Sequence, residues 1–340
     1  RNKLIIALMT LGLVIWGSYQ LSKLPFDALP DITDNQVQII TISPSLGAAD
    51  IERLITMPIE LGTQNIQGIQ QIRSFSRFGL SLVTVVFKDN VDLFWARQQI
   101  AERINQIKGE IPEGLGSPEM GPITTGLGEI YQYVVRPKKG FEDQYNAMDL
   151  RTIQDWVIRK QLLSTPGVAD VSSFGGYLKQ YTIEVDPQQL YARKISLSDV
   201  FEAVNANNQN AGGSYIERNK SALYIRTEGL ASSIEDLENI VVKEPSNHVG
   251  IKLKEIAQIK MGSATRYGAM CYNDEGEVAG AVVMMIKGEN SMEVIAQVKT
   301  RMEEIKKQLP EGVEIDAFLD RTKMVKNALT TVKTNLLEGA

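Results

Sequence analysis

Few side chains in this 340-residue chain combine the type and spacing that chemistry requires. The single histidine, His248, sits in the loop-like run Pro245-Ser-Asn-His-Val-Gly250. The single cysteine, Cys271, is too far from it in sequence to join it in a zinc cluster, and alone it forms no internal disulfide. No GxxxxGK[ST], HExxH, GxSxG or CxxC pattern occurs, so nucleophilic and general-base catalysis have no constellation. The glycine-rich run Gly121-Pro-Ile-Thr-Thr-Gly-Leu-Gly128 lacks the lysine and helix start of a phosphate cradle and reads as an irregular connector. Met284 and Met285 are adjacent, so on a strand they face opposite ways and cannot both bind one soft ion; they read as core packing. Two carboxylates remain as candidates for a hard or borderline divalent cation. Glu129 lies just before a strand-like run, and Asp155 lies in an otherwise apolar helix face beside Trp156.

The elements that would carry these carboxylates follow from periodicity. The length allows two or three domains, and 43% apolar with 23% charged residues is an ordinary globular composition. Lys plus Arg 36 against Asp plus Glu 41 gives a net charge of −5, which argues against nucleic acid and favours cationic or neutral partners. After Arg1 and Lys3, the stretch Leu4 to Leu21 carries no charge, about one membrane thickness of helix. Trp16 and Tyr19 suit an interfacial belt, and the flanking positive charges place the N-terminus in the cytoplasm and the rest outside it. A signal peptide and a buried core helix are the rival readings, but no small-x-small cleavage pattern precedes Lys23.

From Asn35 the pattern reads strand (Gln36 to Ile42), helix (Ala48 to Ile66), a hairpin of strands across Phe78-Gly79, helix (Asp92 to Lys108) and strand (Ile130 to Arg136). That order is the split βαβ arrangement of a ferredoxin-like domain. A second unit of the same kind reads as helix Leu150 to Ser164, strands Val168 to Phe174 and Gln180 to Asp186, a helix from Ser196 to Asn205, strand Val278 to Lys287 and helix Met292 to Gln308. Ala211 to about Glu277, after the polar linker Asn205 to Gly213, reads as an insertion into it. Gln106-Ile-Lys-Gly-Glu-Ile-Pro-Glu-Gly-Leu115 matches Glu304-Ile-Lys-Lys-Gln-Leu-Pro-Glu-Gly-Val313, which supports a duplication. The expected class is therefore α+β: two ferredoxin-like units with an inserted subdomain, preceded by one transmembrane helix. The missing initiator Met and the uncapped helical end at Ala340 suggest a piece of a longer protein.

Several stretches together carry a resemblance: Phe26-Asp-Ala-Leu-Pro-Asp-Ile-Thr33, Met57-Pro-Ile-Glu60, Arg73-Ser-Phe-Ser-Arg-Phe-Gly-Leu-Ser81, Ala96-Arg-Gln-Gln-Ile-Ala-Glu-Arg103 and Pro118-Glu-Met-Gly-Pro-Ile-Thr-Thr-Gly-Leu-Gly-Glu-Ile-Tyr131. Leu150-Arg-Thr-Ile-Gln-Asp-Trp156, Pro166-Gly-Val168 and Gly288-Glu-Asn-Ser-Met-Glu-Val-Ile295 extend it over nearly the whole chain. The sequence resembles the inner-membrane pump of heavy-metal efflux systems, the cobalt-zinc-cadmium type within the resistance-nodulation-division (RND) transporters. The likeness reaches only about the first third of such a pump.

That resemblance implies a homotrimeric metal/proton antiporter, a secondary active transporter rather than an enzyme. It would sit in the bacterial inner membrane with most of this chain in the periplasm, working with a periplasmic adaptor (membrane fusion) protein and an outer-membrane channel. Residues 1–24 would be the first transmembrane helix, 35–136 the first porter subdomain, 149–210 with 278–320 the second, 211–277 the docking subdomain and 321–340 the approach to a second membrane helix. Glu129 maps onto a carboxylate lining the distal substrate pocket, with Asp155 a second position. Zn, Co, Cd or Ni would be the cargo in preference to Cu or Ag, and no cofactor is implied. The three-methionine site, the proximal carboxylates and the proton relay belong to parts of the family's pump that lie beyond this chain. The rival readings are a drug-exporting relative, whose pocket would use aromatics such as Phe174 and Tyr131, and a single-span periplasmic assembly or binding protein.

Overall fold

The computed structural model describes residues 3–21 and 32–339, except 45, 113, 211, 219–220, 227–228, 244–249, 267 and 275. His248 and most of the Phe26 to Thr33 stretch therefore lie outside the described residues. Helix α1 (Lys3–Leu21) presents Leu4, Ile5, Leu8, Leu11, Ile15 and Trp16 to the outside. Among the described residues no helix is long and apolar enough to cross a membrane.

The first half follows in chain order as β1 (Asn35–Ile42), α2 (Ala48–Ile51), a π-helical turn (Glu52–Thr56), α3 (Met57–Thr63), β2 (Ile69–Arg77), β3 (Leu80–Phe87), α4 (Leu93–Ile107) and β4 (Glu119–Met120). Its sheet order is β2-β3-β1-β4. Val37 and Ile39 of β1 and Val83, Val85 and Phe87 of β3 alternate inward, as a one-sided sheet requires. They meet Ile51, Ile55 and Ile59 from the first helical run and Ala96, Ile100, Ile104 and Ile107 from α4. Asp92 caps α4 by accepting from the Trp95 amide at 2.8 Å.

The chain continues through β5 (Glu129–Pro137), α5 (Ala147–Ile153), a second π-helical turn (Gln154–Ile158), α6 (Arg159–Leu163) and β6 (Val168–Gly175). Then come β7 (Lys179–Val185), α7 (Pro187–Arg193), α8 (Leu197–Ala206), β8 (Gly212–Arg218), β9 (Ser221–Arg226), α9 (Ile234–Glu238), β10 (Val241–Lys243), β11 (Ile251–Lys252) and β12 (Ala257–Ser263). The chain closes with β13 (Ala279–Met285), α10 (Ser291–Lys306), β14 (Val313–Asp320) and α11 (Thr322–Gly339). The second four-stranded sheet has the order β14-β5-β13-β6. Numbered within each half, both sheets read 4-1-3-2, the ferredoxin-like order. The Pro-Glu-Gly repeat marks the same place in each, after α4 and after α10.

The sheets divide the strands differently from the sequence reading. Ile130 to Arg136, expected to close the first unit, is β5 and opens the second sheet; the fourth strand of the first sheet is the short β4. The reason is burial: Ile130, Tyr133, Val134 and Val135 are buried on both faces, which demands a central strand, and β5 lies between β13 and β14. The strand at Gln180 to Asp186 and the helix from Ser196, expected in the second ferredoxin-like unit, lie outside its sheet. β7 pairs with β12 over seven consecutive residue pairs from Lys179↔Ser263 to Val185↔Ala257.

Two compact units result. One comprises residues 1–144, 153–174 and 278–340 and holds both four-stranded sheets; the other comprises 145–152 and 175–277. The second has its own core of Ile195, Val200, Leu237, Ile240, Leu253, Ile256 and Ile259. Ser196 and Ser233 cap α8 and α9 with reciprocal boxes to Asp199 and Asp236, whose carboxyls are held below the usual range, Asp199 by the Ser196 amide and hydroxyl and Asp236 first by the Ser232 amide and then by the Ser233 hydroxyl.

Candidate functional site

The connector 121–128 ends at Glu129, and four elements of the same unit pin it. Arg97 on α4 donates to the Gly121 carbonyl at 2.8 Å, and the Gly121 amide donates to the Gln38 carbonyl at 2.8 Å. At the end of β13 the Met285 amide donates to the Gly128 carbonyl at 2.8 Å and the Lys287 amide to the Ile123 carbonyl at 3.1 Å. Arg321, at the start of α11, donates to the Leu127 carbonyl. Burial lowers the Arg97 pKa from its ordinary value. Position 128 is crowded: a Cβ there would come within 2.1 Å of Thr124 Oγ1 and 3.0 and 3.2 Å of the Thr125 and Met285 carbonyls, so a larger residue would have to push these neighbours aside. This segment is a strap stitched by backbone carbonyls, which is why it needs no lysine.

Glu129 emerges from the strap exposed, opposite Met284 on β13. Gln132 Nε2 donates to Glu129 Oε2 at 3.0 Å. Residues three apart on a regular strand face opposite ways, but the register slips between Val283 and Met284, so Ile130 is the extra residue of a bulge and turns Glu129 toward Gln132. No sequence signal marked Gln132, because bulges leave no period-2 trace. Met284 and Met285 occupy alternate faces of β13, with Met285 buried.

Asp155 stands in the π-helical turn, half-buried, next to Gln154, which is wholly buried. Tyr133 donates its hydroxyl to Gln154 Oε1 at 2.9 Å, and Gln154 Nε2 donates to Ser173 Oγ at 3.2 Å. Burial drives the Tyr133 pKa far up, with the Asp155 charge adding to it, so this phenol stays neutral. Tyr131 is pushed up to about 12, first by burial and then by Asp320 and neighbouring carboxylates. Trp156 is exposed, with Lys160 Nζ 4.1 Å from its ring centre. Asp320 is bonded by Lys299 and Thr322; burial raises its pKa, but these bonds outweigh that and hold it below the usual range.

Among the described residues no group of three or more His, Cys, Asp or Glu side chains is gathered to hold a metal. Glu129 and Asp155 are thus separate oxygen donors, on β5 and on a helical turn, with Glu129 bonded by the Gln132 amide. A cavity of about 460 Å³ runs along α10 between Thr165 and Glu304 and contains neither carboxylate.

Tandem 4-1-3-2 sheets joined by a pinned strap, with a second compact unit inserted into the later half, define a duplicated α+β architecture. The chain belongs to the AcrB/AcrD/AcrF family, which it matches over residues 1–340. It is 42% identical to "Protein HelA" of Legionella pneumophila and 40% identical to the "Cobalt-zinc-cadmium resistance protein CzcA" of Cupriavidus metallidurans, in each case over 100% of this chain and 32% of the relative. A crystal structure titled as a heavy metal efflux pump superposes with a TM-score of 0.86 at 33% identity, covering 98% of this chain and 33% of that one. The chain therefore spans about a third of the length of the relatives it matches.

Proposed function

We propose that this chain forms part of a proton-driven RND pump that exports divalent heavy-metal cations, with Glu129 as a pocket carboxylate. The observation that carries the reading is the Glu129 geometry. The strap fixes its backbone, Gln132 holds one carboxylate oxygen, and the other is left for a cation. Oxygen donors suit borderline divalent ions such as zinc and cobalt better than Cu(I). Its likeness along the whole chain to relatives named for cobalt, zinc and cadmium resistance supports the same cargo. Asp155 is the second proposed pocket carboxylate.

In this reading the two ferredoxin-like halves are porter subdomains and the inserted unit is a docking part. The pump is a homotrimer in the bacterial inner membrane, bound to a periplasmic adaptor and an outer-membrane channel, with most of this chain in the periplasm. Helix α1 is the anchor: Lys3 reaches toward the headgroups, Trp16 and Tyr19 lie in the interface, and local thinning accommodates its modest length. Replacing Glu129→Gln in the complete pump should lower zinc or cobalt resistance at unchanged pump abundance. Resistance equal to that of the parent would remove Glu129 from the transport path.

A further inference from the structure

The inward face of the first sheet changes character at one end. Along β1 the buried positions run Val37, Ile39 and Thr41, followed just past the strand by Ser43, the last two 1% and 2% exposed. On β3 the aliphatic pair Val83 and Val85 gives way to Ser81, fully buried and directly opposite Thr41 in the antiparallel register. Thr56, in the first π-helical turn, reaches the same end, with its Oγ1 2.7 Å from Ser81 Oγ and 2.8 Å from Ser76 Oγ. These bonds satisfy three of the five hydroxyls. Among the described residues, Thr41 Oγ1 and Ser43 Oγ are buried with no hydrogen-bond partner.

Two unmet hydroxyls on one face, two residues apart, are uncommon, because each carries a desolvation cost that no bond offsets. Gly116, at φ +103°, packs so closely here that a Cβ would come within 2.3 Å of the Ile42 carbonyl and 3.3 Å of the Thr41 methyl. The five groups are neutral hydroxyls that both donate and accept, which suits neither a bare cation nor an anion. We propose that this end of the core binds buried water, with Thr41 Oγ1 and Ser43 Oγ sharing one molecule beside the Thr56–Ser81 pair. A water with two to four polar partners is the usual occupant of such a position.

The test is a double-mutant cycle on the intact chain, Thr41→Val, Ser43→Ala and both together, read as the thermal midpoint. Each single substitution strands the water and the remaining hydroxyl, so each should lower the midpoint by about 2–6 °C, and the double variant should fall no further than the worse single one. A midpoint that rises on Thr41→Val, or losses that add, would overturn the proposal. A high-resolution crystal structure of the unmodified chain decides independently of variant folding. Density for a water within hydrogen-bond reach of both oxygens supports the site, and hydroxyls paired only with protein atoms overturn it.

Discussion

The two ferredoxin-like halves share a strand order but differ in how they join their second and third strands. The first turns directly at Phe78-Gly79, whereas the second opens the equivalent connection, between β6 and β13, into the inserted unit. The 4-1-3-2 sheet tolerates this because the inserted unit has its own core and leaves the strand pairing intact. The halves also pin the π-helical turn of the first helical run differently. Thr56 does so with a hydroxyl to Ser76 and Ser81, Gln154 with an amide to Tyr133 and Ser173. Each turn is thus held by a polar side chain, but of different chemistry and at a different position, Thr56 closing its turn and Gln154 opening its own.

The largest expected effect tests whether the halves are built alike. Ile55 and Ile158, both wholly buried in the π-helical turns, should each cost about 2–5 kcal/mol when changed to Ala, measured by urea unfolding. A loss in one half several-fold smaller than in the other would break the parallel. Next, Gln154→Leu removes the only described partner of the buried Tyr133 hydroxyl and should cost about 1–3 kcal/mol. Thr56→Val should cost a similar amount, because it strands the fully buried Ser81 hydroxyl even though Ser76, half-buried, can turn to water. A loss several-fold smaller for one pin than for the other would show that the two are not equivalent in role.

The alkaline limb sharpens the contrast further. Tyr131 has a folded pKa of about 12 against 10 unfolded, so its neutral form favours the fold. That contribution is complete below about pH 10 and is lost as pH rises toward 12. Tyr131→Phe should therefore flatten the fall in thermal midpoint between pH 10 and 12 without changing it at pH 7, and an unchanged slope would count against the assignment. The smallest effect is expected at the surface: Lys160→Ala removes a cation–π contact to exposed Trp156 and should cost no more than about 1 kcal/mol.

Much of this is legible in the sequence. The Pro-Glu-Gly repeat located two similar helix-to-strand connections, and periodicity placed helices at Asp92 to Lys108 and Met292 to Gln308, where α4 and α10 lie. The partition of strands was not legible. β5 follows α4 in sequence and alternates like any strand, and only its burial on both faces, a tertiary property, sends it to the centre of the second sheet. The π-helical turns and the bulge at Ile130 were equally hidden, since each inserts a residue without a composition signal, and with them went Gln132 and Gln154. Glu129 was singled out through the motif around it, and the strap accounts for the form of that glycine-rich run.

The most direct test of the central claim is cellular zinc accumulation with the complete pump. Cells carrying Glu129→Gln should retain more zinc than cells carrying the parent at equal pump abundance, with Glu129→Asp falling between them. Equal retention by all three would contradict the account.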